Sequence, residues 1–164
     1  ILDLADLTAE GAFPLGAATT TIMIIRGINP IFATLGGFVA GMLAGAVSGF
    51  MHTKMKIPAL LTGIITLTGL YSVNLLVLGS ANVSLSGHNT LVMDLGLSKL
   101  NGVILLGLIF VSLVVLMLVV LLNTQVGLAL RATGDTLAMG EANGIKVDRM
   151  KILGYMISNG LIAL

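Results

Sequence analysis

Charged side chains are scarce in this sequence, and they cluster. Arg131, Asp135, Glu141, Lys146, Asp148, Arg149 and Lys151 fall in one stretch, Gly127–Lys151, and make up seven of the fifteen Lys, Arg, Asp and Glu residues. They form no acid/base pair suited to proton transfer. What the stretch carries instead is local folding grammar. Gly134-Asp135 reads as a helix start, because an aspartate there accepts from the free amides of the next turn and suits the positive end of a helix dipole. Thr136–Ala142 then makes a short helix of about two turns. Asn143-Gly144 reads as a stop, because glycine adopts the left-handed conformation that closes a helix, and Ile145 packs back on that end. Asp148 caps the next helix, which runs on into Ile152–Leu164. Two readings stay open at this point: a polar turn that only reverses the chain, or a surface that meets water and a partner.

Elsewhere the polar groups are isolated. A carboxylate inside a bilayer costs roughly 2.5–3.5 kcal/mol on insertion scales, so Glu10 marks a translocation path if it lies at depth, and is a solvated helix-start acid if it lies at the interface. Tyr71 and Asn74 are the polar side chains best suited to face a channel, within a segment that also carries Thr62, Thr66, Thr68 and Ser72, whose hydroxyls can bond back to their own helix. His52 and His88 lie far apart without an acidic or cysteine partner set, so no metal site is expected. The absence of cysteine excludes disulfides and thiol catalysis. No phosphate-cradling G-x-x-x-x-G-K-[ST], no H-E-x-x-H and no G-x-S-x-G occurs. Neither an enzyme nor a cofactor is expected.

The elements that must position these residues follow from composition. Hydrophobic residues make up 57%, charged residues 9%, and mean hydropathy is +1.10, whereas soluble domains carry about 25% charged residues. Without alternating strands, helices must satisfy the backbone in lipid. The fold class expected is all-α: a polytopic transmembrane helical bundle of about five spans, with residues 1–164 forming one transmembrane domain and the polar loop at about 127–151. Gly11 and Pro14 argue against an uninterrupted first helix, so the first span is expected from about Phe13 to Ile25. Arg26-Gly27-Ile28-Asn29-Pro30 is a turn. The second span, Ile31–Met51, places Gly37, Gly41, Gly45 and Gly49 four residues apart, flanked by Gly36, Ala40, Ala44 and Ser48. Such a face lets two helix backbones approach closely in lipid. His52–Lys56 is a short basic loop, Ala59–Leu78 the third span, Gly79–Lys99 a polar connection with His88 and Asp94, and Gly102–Leu122 the fourth. Ile152–Leu164 begins a fifth. The start at Ile1 and the end at Leu164 inside an apolar run read as cuts in a longer protein.

Basic residues give the orientation. Lys54 and Lys56 follow the second span; Arg131, Lys146, Arg149 and Lys151 follow the fourth. These loops share one side and hold six of the eight Lys and Arg residues, which the positive-inside rule assigns to the cytoplasm. Arg26 and Lys99 fall on the other side.

Several stretches carry a resemblance. Leu2-Asp3-Leu4, Asp6-Leu7-Thr8-Ala9-Glu10-Gly11-Ala12-Phe13 and Leu15-Gly16-Ala17 look like the D-L-[ST]-x-[EG]-G stretch of ABC-transporter permeases of the branched-chain amino-acid and simple-sugar type. His52-Thr53-Lys54-Met55-Lys56-Ile57-Pro58 and Thr68-Gly69-Leu70-Tyr71-Ser72 are similar to the uncharacterised and tryptophan-type permeases of that family. Arg131-Ala132-Thr133-Gly134-Asp135 with Gly144-Ile145 resembles its cytoplasmic coupling loop. The family's usual N-terminal helix and last spans are missing, in keeping with a fragment. The resemblance implies a permease that works as a pair, binds two cytoplasmic ATP-binding subunits and receives amino acids, aromatic or branched-chain, from an extracytoplasmic substrate-binding protein. It places Thr136–Ala142 in a groove of the ATPase, with Asp135 and Gly144 fixing its ends and Arg131 and Glu141 as contacts. The alternative of another class is a secondary transporter or channel subunit with an intramembrane carboxylate site, Glu10 with Asn74. A purely structural membrane subunit is a third.

Overall fold

The computed structural model describes residues 6–80, 83, 99–135, 140, 142 and 144–164. Among them the regular structure is helical throughout: α1 (Thr8–Ile25), α2 (Pro30–Lys54), α3 (Ala59–Leu78), α4 (Lys99–Leu122), α5 (Gln125–Asp135) and α6 (Val147–Ala163). Three of these are long and apolar enough to cross a membrane: Pro30–Lys54, Ala59–Leu78 and Asn101–Leu122. α1 and α6, the expected first and fifth spans, are shorter at 18 and 17 residues.

The first helix differs from expectation. It does not wait for Phe13 but starts at Thr8 and runs through both Gly11 and Pro14. Pro14 lies less than two turns into the helix and is exposed, so the carbonyl that loses its amide partner is that of Glu10 in the first turn. Gly11 is not a break. A Cβ there would stand 3.0 Å from Leu70 Cδ1 on α3, so the missing side chain lets two helices meet.

The turn from α1 to α2 has a simple cause. Gly27 adopts φ +78°, and the Ile28 amide bonds the Met23 carbonyl at 3.0 Å, which closes α1 with a left-handed glycine. Asn29 then accepts from the Ile31 amide at 3.0 Å, and Pro30 takes the first helical position, where its missing amide is not needed. After α2, the His52 ring nitrogen Nδ1 lies 2.9 Å from the Ile57 carbonyl, folding the short loop back toward the helix.

α2 is the centre of the bundle, flanked by α1 and α6, with α3 against α1. α1 runs antiparallel to α2: Thr8 meets Ser48 near one end, and Thr20 Oγ1 donates to the Ala33 carbonyl near the other. α6 also runs antiparallel to α2, from Gly49 opposite Ile152 to Gly37 opposite Ala163. The starts of α1, α3 and α6 and the end of α2 therefore share one end of the bundle. Lys54 and Asp148 meet there at 3.5 Å. α5 packs on α6, and α4 joins the bundle through α5. Most apolar side chains of α4 between Val103 and Val120 are exposed, with Leu106, Phe110, Val114 and Leu118 forming one partly covered stripe, as suits a rod that faces lipid over most of its girth.

Candidate functional site

Two places gather polar groups. The first lies inside the bundle at the start of α1. Asp6 lies two residues before that helix, and its carboxylate is used twice. Oδ1 accepts from the Thr8 amide at 2.9 Å, and Oδ2 accepts from Asn159 Nδ2 of α6 at 2.7 Å. Asn159, fully buried, also donates to the Tyr155 carbonyl one turn back at 3.0 Å. The Thr8 and Ser48 hydroxyls lie 2.7 Å apart, both fully buried. One turn of α1 is thus tied by hydrogen bonds to both α2 and α6. Ser48 stands six residues before Lys54, so α1 begins about 9 Å inboard of the end of α2. The Tyr155 ring lies tilted against His52, with centroids 6.0 Å apart.

The contacts around this seam require small residues. A Cβ on Gly41 would strike Ala163 and the Asn159 carbonyl, and one on Gly45 would strike the Tyr155 carbonyl. One on Gly49 would lie 3.0 Å from Ile152 Cα, and one on Gly37 2.7 Å from Thr20 Oγ1 and 3.1 Å from the Ala163 carbonyl. All four glycines therefore lie against α6, with Gly37 also reaching α1.

The second place is the polar end formed by α5, the following residues and the start of α6. Here the local reading needs correction. Arg131–Asp135 belong to the helix that begins at Gln125, and Gly134-Asp135 forms its last two residues. The helix is held from its buried face, where Gly127, Leu130 and Thr133 recur every three residues, and Thr133 Oγ1 bonds the Ala129 carbonyl at 2.7 Å. Arg131 is exposed. Gly144 does close a helical turn: its φ is +75°, and the Ile145 amide bonds the Gly140 carbonyl at 3.0 Å, the left-handed glycine closure again. Asp148 is not the cap of α6; Lys146 holds that position, and Asp148 reaches Lys54 instead. Thr136–Met139 and Glu141 lie outside the described residues, as do Asp3, His88 and Asp94.

The three residues expected along a path are placed differently from one another. Glu10 is exposed in the first turn of α1. Tyr71 is 67% exposed on α3. Asn74 is buried, and its Oδ1, like Thr62 Oγ1, Tyr155 Oη and Asn159 Oδ1, has no hydrogen-bond partner among the described residues. Among those residues no cluster of three His, Cys, Asp or Glu side chains could hold a metal ion.

Asp6 and Asn159 were missed as a pair. Their joint signal is faint: an amide in the apolar run Ile152–Leu164, and an acid one residue before the Leu7-Thr8 step that starts a helix.

Apolar helices in antiparallel contact through glycine, with cations gathered at one end, define an integral membrane segment of a polytopic protein. A family model described as the permease component of branched-chain amino acid transport systems matches residues 1–164, and the chain belongs to that family. It is 40% identical over 167 residues to a tyrosine transport system permease protein of Clostridioides difficile, covering all of this chain and 54% of the relative. It is 35% identical to the uncharacterized protein RP368 of Rickettsia prowazekii, covering all of this chain and 57% of that protein. It is 26% identical to the autoinducer 2 import system permease protein LsrC of Yersinia pseudotuberculosis, over 96% of this chain and 44% of the relative. The chain spans about half the length of the curated relatives it matches. No solved structure matches it.

Proposed function

We propose that this chain is part of the membrane-spanning subunit of an ATP-driven ABC importer for amino acids, and that its polar end meets cytoplasmic ATP-binding subunits. The observation that carries this reading is the convergence of Lys54, Lys56, Lys146, Arg149 and Lys151 at the end of the bundle where α2 ends and α6 begins. Positive charge marks the cytoplasmic face of a polytopic protein, and a cytoplasmic motor has access only there. Family membership and the named transport permeases among the relatives support the same reading.

Arg131, Gly134, Asp135, Glu141, Gly144 and Ile145 form the segment through which the ATPase is coupled. α5 offers the exposed Arg131, and Gly144 closes a helical turn just ahead of α6. The segment continues directly into α6, so a push on it reaches the bundle through a packed helix rather than through slack chain. Tyr71, Asn74 and Glu10 remain the proposed contributors to the translocation path, with Glu10 nearest the polar end. Gly37, Gly41, Gly45 and Gly49 pack the helices that frame it. A second permease copy covers the outward apolar faces, and an extracytoplasmic binding protein delivers the solute. Tyrosine is the first solute to test, given the named relative.

The test is uptake of labelled tyrosine by membrane vesicles holding the full-length permease and its copurifying ATPase. Uptake that follows ATP hydrolysis, and is lost with Asp135→Lys while the protein stays in the membrane, supports the reading. Uptake driven by an ion gradient without ATP assigns the chain to secondary transport instead.

A further inference from the structure

The polar end accounts for where force would enter, but not for what ties α6 to the start of α1, which packs directly against it. We propose that Asp6 and Asn159 are the pair of positioning residues that carries motion of α6 to α1 during transport; this inference rests on the permease reading above.

Three observations carry it. First, α6 begins at Val147, directly after the proposed coupling segment, and Asn159 lies on its buried face in line with Tyr155 and Ala163, each four residues apart. Movement entering at the polar end therefore arrives at Asn159 along one helix. Second, Asp6 uses both oxygens, one on Asn159 Nδ2 at 2.7 Å and one on the Thr8 amide at 2.9 Å. The carboxylate thus joins α6 to the first amide of α1 through a single rigid group. A charged acceptor gives short, directional bonds, so the tie is broken or made as a unit rather than stretched. Third, Asn159 is fully buried and its Oδ1 has no partner among the described residues. A buried acceptor without a partner raises the energy of the arrangement that contains it. The position therefore favours a second arrangement in which that oxygen is used. Two discrete arrangements are what a coupling element needs.

Glu10, the other acid among the described residues at the start of α1, is exposed and makes no comparable tie among the described contacts. The acid that works inside the bundle is Asp6.

The experiment measures tyrosine taken up per ATP hydrolysed by the full-length permease with its copurifying ATPase in proteoliposomes. Asn159→Leu and Asp6→Asn each lower that ratio by about tenfold, the scale of a lost buried hydrogen bond to a charge. The double variant, Asp6→Asn with Asn159→Leu, stays within about threefold of the single variants, because both substitutions break the same tie. A normal ratio for Asn159→Leu overturns the inference, as does a double variant whose loss is the product of the two single losses. If Asn159→Leu fails to reach the membrane, Asp6→Asn decides alone: it must accumulate and show the lowered ratio. Uptake by the unaltered protein without ATP hydrolysis would instead remove the permease reading itself.

Discussion

Thr8 of α1 and Ser48 of α2 face each other with their hydroxyl oxygens 2.7 Å apart, and neither side chain reaches solvent. Each hydroxyl has the other as its interhelical partner, so removing one strands the other in an apolar interior. Thr8→Val and Ser48→Ala are each expected to destabilise the protein by about 1 kcal/mol. The double variant is expected to cost less than the sum, because no buried hydroxyl is then left over. A double-mutant cycle on unfolding in mixed micelles measures this. Strict additivity would show that the pair contributes no mutual energy.

Glycine substitutions should separate by location. Gly41→Ala and Gly45→Ala place a methyl group against backbone of α6, and forced overpacking of this kind costs about 1–3 kcal/mol. Gly69 and Gly107 face open space in the described structure, so Gly69→Ala and Gly107→Ala are expected to accumulate and melt as the unaltered protein does. Thermal unfolding in detergent distinguishes the two groups, and equal losses at all four sites would contradict the packing described.

The sidedness of the bundle can be read directly. This chain has no cysteine, so it adds no background to single introduced thiols. Lys54→Cys and Arg149→Cys are expected to react with an impermeant maleimide from the cytoplasmic face, and Arg26→Cys from the opposite face. Labelling of Lys54→Cys and Arg26→Cys from the same side would contradict the antiparallel course of α2 between them.

Gly144 occupies a backbone conformation that other residues rarely adopt, with φ +75°. Gly144→Val strains that turn by about 1–3 kcal/mol and should loosen the Ile145–Gly140 closure while leaving α1, α2 and α3 intact. Faster amide exchange confined to residues 140–146, together with lowered uptake per ATP, is the expected outcome. Unchanged exchange there would show that the turn tolerates a branched side chain.

The Lys54–Asp148 ion pair should matter little for stability. Both side chains are more than half exposed, and such pairs contribute about 0–1 kcal/mol. Lys54→Gln is expected to shift the melting temperature by no more than a few degrees, measured at low and at high salt.

Local features are legible in the sequence. Asn29-Pro30 and Gly27 are written into adjacent residues, as is Gly144, because a cap or a left-handed turn depends on its immediate neighbours. The glycine spacing of α2 identified a close-contact face, but not that α6 would fill it. The first helix starts earlier than the local costs of Gly11 and Pro14 predict, because α3 supplies Leu70 against Gly11. Gly134-Asp135 has the chemistry of a helix start, yet it forms the end of the helix from Gln125, anchored by Leu130 and Thr133. Asp6 and Asn159 lie 153 residues apart, and no periodicity joins them; only the folded bundle does.

Where α2 meets α6, carbonyl oxygens and Cα atoms stand where side chains usually would. Side chains in most helix contacts swing between rotamers and absorb small displacements, like rubber between plates. Here there is almost none of that give, so α2 and α6 have little room to slip by a fraction of a turn. Any tilt imposed at one end of the contact must reappear at the other, about 18 Å away along α2 from Gly37 to Gly49, with hardly any loss.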